Sequence, residues 1–97
     1  MKVIIKPSKK SEKKYMAIFY DDDGKKKKTT HFGQRGALDF IKSKGDEERK
    51  KRYLDRHRKR ENWNAYMTSG SLSRWILWNK PTLKASIADY KKRFNLS

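Results

Sequence analysis

With no cysteine anywhere in the chain, neither a disulfide framework nor a thiolate metal site can hold it together. Its 97 residues must close by packing alone, and that length allows one modest hydrophobic core rather than two. The expected organisation is a single α+β domain over 1–97, strand-rich in 1–33 and helical in 36–97. Apolar types make up 34% of the chain against 39% charged, so large side chains must fill most of the core.

Local patterns divide the chain accordingly. Val3-Ile4-Ile5 is β-branched and ends at Pro7, which suits a short edge strand. Tyr15 to Tyr20 is a second strand, and Asp21-Asp22-Asp23-Gly24 carries the Asp-Gly signal of a tight reversal. The return strand is expected over Lys25 to Phe32, with Gly33 and Gly36 ending the sheet part and Ala37 to Ile41 forming a short helical turn closed by Gly45. Asp46 is a good N-cap for a helix to about Lys59, because Glu47 and Glu48 favour its positive end and Arg56 to Arg60 its negative end. Ser71 is expected to cap a compact buried helix from Leu72 to Trp78. Pro81 suits the first turn of a last helix, in which Leu83, Ile87, Tyr90 and Phe94 recur on one face. The predicted core is Leu38, Phe40, Ile41, Tyr53, Leu54, Leu72, Trp75, Ile76, Ile87, Tyr90 and Phe94.

Charge speaks about partners rather than fold. The 27 Lys and Arg outnumber the 11 Asp and Glu, for a net charge of +16, whereas solubility needs a magnitude of only about 2 to 8. An anionic partner relieves the self-repulsion of such a surface. Nucleic acid, an acidic protein face and phospholipid headgroups all qualify. The apolar run at the N-terminus is too short for a signal sequence, and no stretch approaches the roughly 20 apolar residues of a membrane span, so neither secretion nor membrane spanning is expected.

The strongest binding candidates are Arg49, Lys50, Arg52, Arg56, Arg58, Lys59 and Arg60, because one helix places their cationic groups where they can follow a row of phosphates or acidic side chains. The dull alternative is a solvated face laced with Asp46, Glu47, Glu48 and Asp55, but those acids gather at the helix start and leave Arg56 to Arg60 nearly unopposed. Lys9, Lys10, Lys13, Lys14 and Lys25 to Lys28 form a second basic group, where lysine also serves to protect strand edges. Trp63 and Tyr66 are expected as interface anchors, while Trp75 and Trp78 belong to the core.

Catalysis finds little support. Ser, His and Asp occur without a nucleophile elbow or a Gly-rich phosphate loop. His31 and His57 would need distant carboxylates to hold a metal. No catalytic residue, metal, cofactor or small-molecule substrate is expected; the remote enzyme reading is a nuclease using one histidine with a carboxylate and a metal ion.

The blocks Gly45-Asp-Glu-Glu-Arg-Lys-Lys-Arg-Tyr-Leu-Asp-Arg-His57, Lys59-Arg-Glu-Asn-Trp63, Thr68-Ser-Gly-Ser-Leu-Ser-Arg-Trp-Ile-Leu-Trp78 and Asn79-Lys-Pro-Thr-Leu83 come in that order. The stretch from His31 to Phe94 that contains them resembles a family of small basic proteins encoded by large nucleocytoplasmic DNA viruses, with the N-terminal hairpin outside the matching region. The resemblance implies a protein of the virion, made in the host cytoplasm, and carries no catalytic residues with it. In that setting the leading expectation is a non-catalytic minor capsid or cement protein that bridges acidic faces of neighbouring capsid proteins through Arg-carboxylate pairs and aromatic anchors. The alternative is a sequence-tolerant DNA or RNA binder on the packaged genome, and inner-membrane headgroups are a further acidic partner.

Overall fold

The computed structural model describes all 97 residues and is α+β, a three-stranded antiparallel sheet followed by helices. The strands are β1 (Lys2–Pro7), β2 (Lys13–Tyr20) and β3 (Lys26–Gln34), in the order β1-β2-β3. The β2–β3 reversal forms as its sequence dictates: Asp21 Oδ1 accepts from the amides of Asp23 and Lys25, both at 3.0 Å, and Gly24 supplies the positive φ of 83°.

Register decides which face of the sheet is core. Val3 pairs with Phe19, Ile5 with Ala17 and Tyr15 with Phe32, so side chains that alternate along each strand assemble one apolar inner face. Val3, Ala17, Phe19 and Phe32 on that face are essentially inaccessible. Against them pack Phe40, Tyr53, Leu72, Ile76, Leu77, Trp78 and Tyr90 from the helical half.

β3 runs two residues past Phe32, and Gly33 lies inside the strand rather than at its end. Its φ is +79°, and a Cβ there would stand 2.7 Å from Leu77 Cδ1, so the missing side chain is what lets the helix layer approach. The connection to the helices is pinned by Lys14, whose Nζ lies 2.5 Å from Asp39 Oδ2. Asp39 Oδ1 also accepts from the Lys42 amide at 2.7 Å. The expected helical turn over Ala37 to Ile41 does not form: residues 37–39 are irregular, and the turn starts at Phe40 and ends at Gly45, φ +86°, whose amide donates to the Phe40 carbonyl.

Helix α1 (Glu47–His57) starts at its expected cap, Asp46, whose side chain accepts from the Arg49 amide. Three expectations about the helices fail. The cap of α2 (Ser69–Leu72) is Thr68, not Ser71; Ser71 is fully buried and its Oγ donates instead to the Trp63 carbonyl at 2.7 Å. α2 runs into a π-helical turn, Ser73–Leu77, closed by the bond from the Trp78 amide to the Ser73 carbonyl. α3 (Leu83–Arg93) begins after Thr82, which caps it, so Pro81 stands outside the first turn. Leu38, expected in the core, is 46% exposed because Asp39 and Phe40, not Leu38, turn inward at the connection. Leu54, Trp75, Ile87 and Phe94 are half-buried and pack against the core, whereas Ile41, also expected there, is half-buried without joining it.

Candidate polyanion-binding surface

Helix α1 is held to the body by an aromatic stack around Tyr53, with Lys50 as a second tie. The Tyr53 ring lies 4.5 Å from Trp78 with planes within 6° and 4.3 Å from His57 on its other side. His57 Nδ1 is 2.7 Å from Glu61 Oε1, and Trp63 Nε1 donates to Glu61 Oε2 at 3.2 Å. Burial, with the Glu61 charge, pushes the Tyr53 phenol well above its ordinary range. This anchorage turns the basic residues around Tyr53 outward.

The predicted binding residues divide into three groups. Lys50 is a structural tie: its Nζ donates to the Asn79 carbonyl at 2.9 Å and sits 4.7 Å from the Phe40 ring centre. Desolvation, with Arg74 and Lys80 nearby, lowers its pKa. Arg49 and Arg52 pair loosely with acids of their own helix, 3.7 Å from Asp46 and 4.0 Å from Glu48. Arg56, Arg58, Lys59 and Arg60 are exposed and have no carboxylate within ion-pair distance. The unopposed charge is therefore at the C-terminal end of α1 and just beyond it.

Trp63 and Tyr66 part company. Tyr66 is turned inward, its ring 6.0 Å from Phe19 and 5.6 Å from Phe94, and its carbonyl accepts the Tyr90 hydroxyl. The core has taken this residue, which corrects its assignment as a partner anchor. Trp63 stays half-exposed, with the Arg74 guanidinium 5.3 Å from its ring centre.

Arg74 and Arg93 were not singled out by the sequence, yet they complete a ladder. The Arg74 guanidinium carbon is 4.1 Å from the Trp75 ring and that of Arg93 is 3.8 Å from the same ring, distances at which a cation is held by the aromatic quadrupole. Arg74 Nη1 donates to the Trp78 carbonyl at 2.8 Å, while its Nε is buried without a partner. No carboxylate pairs with it, and burial followed by repulsion from Arg93 and Arg58 lowers its pKa. Part of this has a structural reason, since Arg74 and Lys50 cap carbonyls at the end of the 69–77 helix. The legible signal was Arg74 itself, the one charged residue within the apolar run Leu72 to Trp78.

Of the 27 Lys and Arg, four lie within 4.0 Å of a side-chain carboxylate: Lys14, Arg49, Arg52 and Arg93. The two histidines are engaged locally, His31 Nδ1 with Ser8 Oγ at 2.7 Å and His57 with Glu61. Ser8 Oγ also accepts the Lys10 amide, so the Ser8–His31 contact ties the β1–β2 loop to β3. No helix is long and apolar enough to cross a membrane.

The fold and this surface define a small basic α+β domain with a cationic exterior. A profile described as a family of unknown function, DUF5754, matches residues 3–57, and the chain belongs to that family. The match takes in nearly the whole sheet and α1. No curated protein and no solved structure matches the chain.

Proposed function

We propose that the protein is a non-catalytic, sequence-tolerant binder of nucleic-acid phosphate, working on the packaged genome of a large DNA virus. The observation that carries this reading is the run Arg56, Arg58, Lys59 and Arg60, exposed and unmatched by any acid of the chain. Phosphate contact requires only charge and reach, which exposed arginines supply. The viral setting rests on the resemblance of His31 to Phe94 alone.

A minor capsid protein that joins acidic faces of its neighbours is the second reading, and half-exposed Trp63 beside Arg74 favours it. It is placed second because Tyr66, one of its two expected anchors, packs against Phe19 and Phe94, which leaves Trp63 as the remaining anchor for a protein interface.

Titrating a fluorescent generic duplex at several salt concentrations tests the choice. Binding is expected at physiological salt, with log K falling linearly against log salt. Replacing Arg56, Arg58 and Arg60 by Gln should make the slope shallower by about 0.9 per lost contact and leave far-UV circular dichroism unchanged. Absence of duplex binding at physiological salt, with the protein found in the shell of fractionated particles, would refute the genome reading in favour of the capsid one.

A further inference from the structure

The helices all lie against one face of the sheet, and the register fixes what the opposite face carries. Its three cross-strand rows read Lys2–Tyr20–Lys26, Ile4–Ile18–Thr29 and Lys6–Met16–His31 from β1 through β2 to β3. A central column on β2 thus runs between basic groups on both edge strands, and its apolar members Met16 and Ile18 are already buried, at 4% and 6% exposure, so the face presents its cationic groups rather than bare apolar surface. A shallow groove of about 470 Å³ crosses it, lined among others by Lys6, Lys9, Lys10, Lys26, Thr29 and His31. None of Lys2, Lys6, Lys9, Lys10 or Lys26 is paired with a carboxylate; Asp21 and Asp22 border the face only at its turn end.

Edge protection explains a lysine on each edge strand. It does not explain why unpaired lysines converge from both edges and the β1–β2 loop over one face. The geometry points to this outer face as a second polyanion-binding surface, which takes a nucleic-acid duplex by its groove, so that one monomer joins two duplex segments. The inference rests on the genome reading and deepens it.

Two features select a duplex over a single strand. The edge strands stand about 10 Å apart, close to the major-groove width of about 12 Å. A groove has a phosphate ridge on either side to meet both basic edges, whereas a single strand offers one. Single-strand platforms also stack bases on several large aromatics, and in these rows Tyr20 is the one Phe, Tyr or Trp, while the His31 ring is engaged by Ser8. Arg56, Arg58 and Arg60 belong to the helical layer, which the sheet separates from its outer face. The two cationic surfaces therefore do not compete for one ligand.

The test uses the full chain, a short generic duplex immobilised on beads and a second, fluorescent copy of that duplex. Wild-type protein should capture the second duplex on the first. The variant Lys2→Gln/Lys6→Gln/Lys26→Gln should still bind one duplex and fold normally by circular dichroism, but lose the capture; Arg56→Gln/Arg58→Gln/Arg60→Gln should do the same from the other side. Full capture by the sheet variant would overturn the inference, as would wild-type protein that binds the first duplex and captures no second, the genome reading then surviving alone. Wild-type protein that binds no duplex would instead refute the genome reading itself. Wild-type protein sedimenting as a dimer while the sheet variant is a monomer would assign the face to a second copy of the chain, and equal displacement by polyglutamate would assign it to acidic protein; either result overturns the duplex proposal.

Discussion

Replacing Asp39 by Ala should be among the most damaging single changes in this protein. The Lys14 and Asp39 side chains are only 13% and 6% exposed, with Nζ and Oδ2 2.5 Å apart. Both charges therefore interact with little solvent screening. Removing the carboxylate leaves the ammonium buried with the Ala37 carbonyl as its remaining partner and frees the Lys42 amide from Oδ1. Breaking one side of such a pair costs about 3–5 kcal/mol, against a total stability of roughly 5–15 kcal/mol for a domain of this size. Urea unfolding followed by tryptophan fluorescence measures the loss directly. The double variant Lys14→Met/Asp39→Ala should lose less than the two single changes added together, with a coupling of at least about 1 kcal/mol, because no unpaired charge remains. A cost for Asp39→Ala below about 1 kcal/mol, or additivity within about 0.5 kcal/mol, would mean that water reaches the pair, and would refute its role in fixing the connection into α1.

Gly33→Ala combines a left-handed φ, worth about 1–2 kcal/mol, with overlap against Leu77 Cδ1 at 2.7 Å; overpacking adds about 1–3 kcal/mol. Thermal melting should show the loss, and in a Leu77→Ala background, itself weakened by the missing core side chain, the same glycine change should cost only the backbone part. Tyr53 and Tyr90 are pushed above the usual phenol range chiefly by burial, aided by Glu61 and Tyr66 respectively. The folded protein thus keeps protons that the unfolded chain releases, so stability is full below about pH 10 and falls as pH rises through that value. Urea midpoints measured across this alkaline range should decline, and Tyr53→Phe should lessen the decline; a midpoint independent of pH there would contradict the burial of both rings.

The elements legible in the sequence are those set by neighbouring residues. The Asp-Gly reversal and the cap at Asp46 depend on bonds within a few residues, and each forms where the local pattern places it. The errors arise where a distant partner decides. Thr68 and Ser71 both carry a capping hydroxyl, but Ser71 is claimed by the Trp63 carbonyl across the core. The run Leu72 to Trp78 is apolar nearly all round and so cannot reveal its own phase; the end of the π-helical turn and the two residues after it, Ile76, Leu77, Trp78 and Asn79, are buried consecutively, which a regular α-helical stripe does not do. Leu38 was indistinguishable from Phe40 until Asp39 found Lys14.

The same distinction governs the candidate site. Composition establishes the amount of positive charge, and helix polarity predicts that it is least opposed after Arg56. It does not tell how the lysines are shared between two faces of a sheet, because Tyr15 to Tyr20 is apolar at nearly every position and its period of two has no visible phase. Pairing Val3 with Phe19 supplies that phase. Once Phe19 is inside, Ile18 and Tyr20 must be outside, and Lys2, Lys6 and Lys26 join them by register. The outer cationic face is thus a consequence of which residues the core took, and shifting β2 by one residue would exchange the two faces and erase it.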